Sequence, residues 1–138
     1  MTLSIALATR ALMLAGFETS VLTGGGTSNL TVYQTNIALC VFPLAADPFS
    51  GVSDSLSLLS VPISSTGTEV AGKANRFVIV DEAGTTVLSG TISGIGGGGD
   101  IEAPNLTVTA AATQTLNALV LRMSADGYIS VEASMTLV

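Results

Sequence analysis

The clearest pattern of apolar and polar positions lies near the end of the chain. Ile129, Val131, Ala133, Met135 and Leu137 alternate with Ser130, Glu132, Ser134 and Thr136. Such alternation marks a strand with one buried and one wet face. Asp126-Gly127 just before it is a hairpin signal, which makes Leu116 to Met123 the preceding strand. Further back, Leu30 to Gln34, Ile37 to Phe42, Arg76 to Val80, Thr85 to Ile92 and Leu106 to Thr109 read as short strands. Leu56 to Ile63 reads as another, limited by Pro62 to an edge or strand end. Asp81-Glu82-Ala83-Gly84 supplies a turn, and the glycines of Gly94 to Gly99 require a loop. Pro43, Asp47-Pro48 and Ser50-Gly51 predict a loop, as does the polar stretch Ser64 to Asn75, and the Ala run from Ala110 to Gln114 fits either a helical turn or a loop.

The first segment differs in texture. Thr2 to about Leu22 holds helix formers and no proline, with Leu3, Leu7, Ala11 and Leu14 at helical spacing. Ile5, Leu12 and Met13 lie off that stripe, so the predicted helix is apolar nearly all round and is expected to be buried, in its own fold or against a partner. Gly24-Gly25-Gly26 ends it as a hinge. These readings predict a mainly β protein, an antiparallel β-sandwich or barrel-like domain over 27–138, with an N-terminal helical or extended arm and glycine hinge over 1–26.

Composition changes the picture toward assembly. Of the 138 residues, 48% are hydrophobic and only 10% charged, against about 25% charged in a typical soluble domain. So few charges leave apolar surface to be covered by other chains. The net charge is −6, and Arg10, Lys73, Arg76 and Arg122 are the only basic residues. That is too few for a phosphate-binding stripe, and with no Trp there is little to stack bases on, so direct nucleic-acid binding is not expected. No uncharged apolar run reaches membrane-spanning length. Met1 to Phe17 is apolar but lacks a basic leader and is split by Arg10, so it does not read as a signal peptide. The Asn-x-Thr sequons at Asn29 and Asn105 are read as chance. The lone Cys40, inside the run Ile37 to Phe42, reads as a small buried hydrophobe.

Candidate chemistry is sparse. Gly67 to Ala74 nearly matches a phosphate-binding loop, and Val78 to Glu82 resembles its acidic companion strand. Ala74 stands where a magnesium-binding hydroxyl is needed, a strand follows instead of a helix, and the two segments are too close for a parallel crossover. Asp100 and Glu102 after the glycine run could touch a cation but read better as loop charges. Histidine is absent, and no carboxylate pair is placed for acid–base work. No enzyme activity, cofactor or metal is expected.

In this order of segments the chain resembles a family of small structural proteins of tailed bacteriophages. The resemblance rests on the Ala/Leu-rich Ser4 to Leu22, the hinge Gly24 to Gly26 and the strand Leu30 to Gln34. It continues through Gly72-Lys73-Ala74-Asn75-Arg76-Phe77, Asp81-Glu82-Ala83-Gly84-Thr85-Thr86-Val87, Ser89-Gly90-Thr91-Ile92, Gly94 to Gly99 with Asp100, and Leu106 to Thr109. It departs at Tyr33-Gln34-Thr35, where the family has Tyr-Ser/Thr-Gly, and in its longer C-terminal hairpin. The resemblance implies a virion component: a capsid decoration protein on the outer surface of the head, bridging major capsid proteins as a homo-oligomer, a trimer by preference. A tail, connector or fibre-associated protein is the alternative, and a carbohydrate-binding β-sandwich is a third, disfavoured by the scarcity of aromatics. Interface contacts are expected from Leu3, Leu7, Leu14 and Phe17 of the arm, with capping of the core as the equal alternative for that segment.

Overall fold

The computed structural model describes residues 4–21, 24, 27–44, 49–52, 54–58 and 61–138. The order is one helix, α1 (Leu7–Val21), then twelve strands: β1 (Asn29–Gln34), β2 (Ile37–Pro43), β3 (Phe49–Val52), β4 (Ser55–Leu58), β5 (Ile63–Ser64), β6 (Gly72–Lys73), β7 (Arg76–Val80), β8 (Thr86–Gly94), β9 (Ile101–Ala103), β10 (Thr107–Val108), β11 (Thr115–Met123) and β12 (Ile129–Thr136). The chain is mainly β and sandwich-like, as the alternation predicted.

Two sheets carry the architecture. One runs β2-β1-β7-β8-β9; the other runs β12-β11-β4-β3, with β5 also on β11. β6 and β10 form a separate two-stranded ribbon. The register follows from the apolar pattern. Leu30 faces Phe42 and Ile79 across β1, and Val32 faces Cys40 and Phe77, which turns all of them to one side. On β11, a register shift between Leu116 and Ala118 keeps both Leu116 and the later Leu119, Leu121 and Met123 on the buried side. The inner faces meet in one hydrophobic core with Phe42 and Phe77 fully enclosed; side chains of this kind contribute about 1.5–3 kcal/mol each.

The helix joins that core through Leu14 and Val21, with Phe17 packed against it. Arg10 fixes it laterally, its guanidinium 3.0 Å from Asp54 between β3 and β4 and 3.4 Å from the Met123 carbonyl. Of the predicted glycine hinge only Gly24 is among the described residues. Its φ is 120°, and a Cβ there would lie 2.5 Å from the Ala83 amide nitrogen. Gly24 is therefore a packing position against the turn of residues 81–84.

The strand prediction needs four amendments. The loop expected from Pro43 to Gly51 includes a strand, β3, held by full register on β4; Asp47 and Pro48 lie outside the described residues. The strand expected over Leu56 to Ile63 is two strands, with a cis Val61-Pro62 bond between them. The polar loop of Ser64 to Asn75 contains β6. Finally, β9 went unpredicted: it pairs in parallel with β8, Ile92 opposite Ile101 and Gly94 opposite Ala103.

That parallel pairing is made by an unusually short return, because parallel neighbours ordinarily need a crossover of a dozen residues or so. Glycine makes it possible. Gly96 and Gly98 take φ of 83° and 80°, and their amides donate to one oxygen of Glu102 at 2.7 and 3.3 Å. The Gly99 amide donates to Ser93 Oγ at 2.9 Å. Ile101 and Ala103 point into the core and Glu102 out to the loop that it ties.

Candidate interaction surface

The outward half of α1 is the surface that its own fold leaves unexplained. A surface helix normally turns charges to water and apolar residues to the core. Here both charged residues of the helix, Arg10 and Glu18, lie on its half-buried side, and Arg10 is paired. The exposed side carries Ala8, Leu12, Met13, Ala15, Gly16 and Thr19, with Leu12 73% exposed. It presents no charge.

Two of its hydroxyls are turned back onto the helix backbone. Thr19 Oγ1 donates to the Ala15 carbonyl and Ser20 Oγ to the Gly16 carbonyl, both at 3.0 Å. Covering this face would strand no donor from either residue, which removes the usual cost of burying hydroxyls. Gly16 adds a second oddity. Glycine inside a helix costs about 1 kcal/mol relative to alanine, and a Cβ built at Gly16 meets nothing within 4 Å. No packing among the described residues requires glycine there.

The four arm residues expected at an interface fall into different settings. Leu3 lies outside the described residues. Leu7 is 48% exposed, Leu14 is in the core, and Phe17 is half-buried against it. The exposed large side chains of the helix are instead Leu12 and Met13 along with Leu7. The sequence held the signal for Leu12 and Met13 in their position off the apolar stripe, whose later members Ala11 and Leu14 turn toward the core while Leu7 stays exposed.

The candidate chemical motifs resolve into structural roles. The segment resembling a phosphate-binding loop leads into strand β6, with Lys73 exposed on it. Within it, the Glu69 side chain is buried, accepting from the Gly67 amide at 3.0 Å and from the Ser65 hydroxyl in a short bond. The Ser65 bond, then the backbone amides, hold its carboxyl below the usual value against the opposing effect of burial. Ser65 also accepts from the Gln114 amide at 2.9 Å. Gln114, fully buried, closes the network: Nε2 donates to the carbonyls of Ala112 (2.6 Å) and Val138 (2.9 Å), and Oε1 accepts from the Val138 amide at 2.6 Å. The stretch Ala110 to Gln114 is a turn, with Ala111 at φ 62°.

Asp100 Oδ2 accepts from the Thr91 amide and hydroxyl at 2.8 and 3.0 Å, and Glu102 caps the glycine loop. Cys40 is buried, and that burial, with the nearby Glu69 charge, pushes its thiol up to about 12. Among the described residues no group of three or more His, Cys, Asp or Glu side chains could hold a metal ion, and no helix is long and apolar enough to cross a membrane.

No family model, curated protein or solved structure matches this chain.

Proposed function

We propose that this chain is a non-enzymatic structural subunit of a tailed-bacteriophage particle, a decoration protein that binds the outer surface of the assembled head and stabilises it. The observation that carries this reading is the uncharged outward face of α1, where exposed Leu12 and Met13 flank a glycine that no packing among the described residues requires. An exposed, uncharged face with a site of close approach suits burial against another protein. The resemblance of the segment order to phage structural proteins directs the partner to the major capsid protein. A ligand that binds only the assembled lattice stabilises it by mass action, and a homo-oligomer, a trimer in this reading, matches a local symmetry axis of the shell.

The test is direct. Heads purified without this chain are mixed with the purified protein, and bound copies and the temperature of DNA release are measured. Saturation at hundreds of copies on the head surface, with release moved to higher temperature, is expected. Binding confined to a ring of six or twelve copies, as expected from neck or tail symmetry, would move the protein to that part of the particle. Absence of binding would refute the reading.

A further inference from the structure

The outer face of the first sheet carries two charged side chains, Glu102 on β9, which is tied to the glycine loop, and Arg76 on β7, which lies in a setting built around it. Tyr33 on β1 stands opposite Arg76 on β7, and Arg76 opposite Thr91 on β8. Their chain neighbours Val32, Phe77 and Ile92 are buried in the core, so these three point outward. Thr31 and Val78, both buried, and Ser89 and Val41 continue the same side of these strands in register, and none of the four is charged.

Arg76 is held, not free to wander. Its guanidinium carbon sits 4.5 Å from the centroid of the Tyr33 ring, and its Nε donates to the Thr35 carbonyl at 3.1 Å. Thr35 itself has a φ of 53°, a region uncommon for a β-branched residue. Asn75 fixes it there: the Thr35 amide donates to Asn75 Oδ1 at 2.8 Å, and Asn75 Nδ2 donates to the Thr35 hydroxyl at 3.3 Å. Backbone conformations of this kind persist where the surroundings over-determine them, often at positions with a task. With Nε committed and the plane set by Tyr33, the terminal amino groups of the guanidinium have no acceptor among the described residues. That fork matches a carboxylate, and Tyr and Arg are among the side chains most enriched at the energetic centres of protein contacts.

Charge selects the occupant. Arg10 and Arg122 are paired with Asp54 and Glu132. Among the described residues Lys73 and Arg76 are the cations outside ion pairs, and the Lys73 backbone meets the corner next to Tyr33, its amide donating to the Gln34 side chain at 2.9 Å. Asp100, beside Thr91, spends its Oδ2 on that residue. On a chain of net charge −6, this corner is where an acidic group is attracted.

We propose that the Tyr33–Arg76 pair anchors a second protein contact, receiving a carboxylate from an acidic segment of the capsid lattice; this rests on the decoration reading above. Wild type and Arg76→Lys, which keeps the charge but loses the fork and the stacking plane, are titrated onto heads purified without this chain. Wild-type binding is repeated at ~50 and ~500 mM NaCl, which spans strong and weak screening. The expected result is a roughly tenfold loss of affinity for Arg76→Lys and a clear weakening of wild type at high salt. Wild type that binds with the same affinity at both salt concentrations, or a folded Arg76→Lys that binds as wild type does, overturns the anchor and leaves the decoration reading standing. Wild type that does not bind overturns both. Should Arg76→Lys lower the thermal midpoint, the salt series on wild type decides.

Discussion

Gly16 separates what the fold needs from what a partner needs. In the isolated chain Gly16→Ala places a methyl group into open space, since nothing lies within 4 Å of the new Cβ. The substitution removes the backbone entropy that glycine loses on folding and restores good helix propensity, a gain of about 1 kcal/mol. For a chain of 138 residues the unfolding entropy converts that into a rise of about 4 °C in the thermal midpoint. Gly16→Leu is also a better helix former than glycine and is expected to leave the free protein at least as stable. On heads, however, its side chain would hold a close-packed neighbour away from the helix. The paired assays are thermal unfolding by circular dichroism and co-sedimentation with heads purified without this chain. Raised stability with lost binding is the expected signature. A lower midpoint for Gly16→Ala would mean that the space is filled in the native chain. Full binding by Gly16→Leu would mean that this face of α1 meets no partner, and the argument from it would fail.

Three further outcomes follow from the interior. Gln114→Ala strips the bonds from the Val138 amide and from the carbonyls of Ala112 and Val138, and should cost about 3 kcal/mol in urea unfolding; a loss under about 1 kcal/mol would refute the network's importance. Glu69 has its folded carboxyl held below the ordinary value of 4.5, so its contribution is present above that value and is lost as pH falls through the lower folded one. The stability difference between wild type and Glu69→Gln should therefore be larger at pH 6 than at pH 3, and an equal difference at both would contradict the assignment. Cys40, its thiol pushed up to about 12 by burial, should react with a disulfide reagent at pH 8 far more slowly in the native chain than in urea; rapid native labelling would show that the site opens.

Legibility in the sequence depended on how local each determinant was. The β11–β12 hairpin was readable because alternation and Asp-Gly act within a few residues, and the structure pairs Leu121 with Val131 and Met123 with Ile129. The turn at Asp81 was readable for the same reason: Asp81 Oδ1 accepts from the amides of Ala83 and Thr85 at 2.9 and 2.8 Å. By contrast, β3 and β9 have little pattern of their own. Each is a few residues long and is a strand because of the partner beside it. On the helix, the off-stripe Leu12 and Met13 make the segment apolar all round, and that pattern does not say which side faces inward, so the interface was expected at Leu3, Leu7, Leu14 and Phe17. The Tyr33–Arg76 contact joins residues far apart in the chain, and no spacing rule points to it.

The loop of residues 95–100 has a consequence for how this chain can vary in length. A run of glycines is commonly treated as a spacer that can be stretched or trimmed. Here it sets the phase of β9. One residue more or fewer would rotate Ile101 and Ala103, now at 1% and 0% exposure, toward solvent and swing Glu102 inward, away from the Gly96 and Gly98 amides. Side chains at Gly97 or Gly99 would press to 2.8 Å from Ser93, and single-residue insertions and deletions would shift the core itself, so the stretch that looks most like filler acts as a gauge of fixed length.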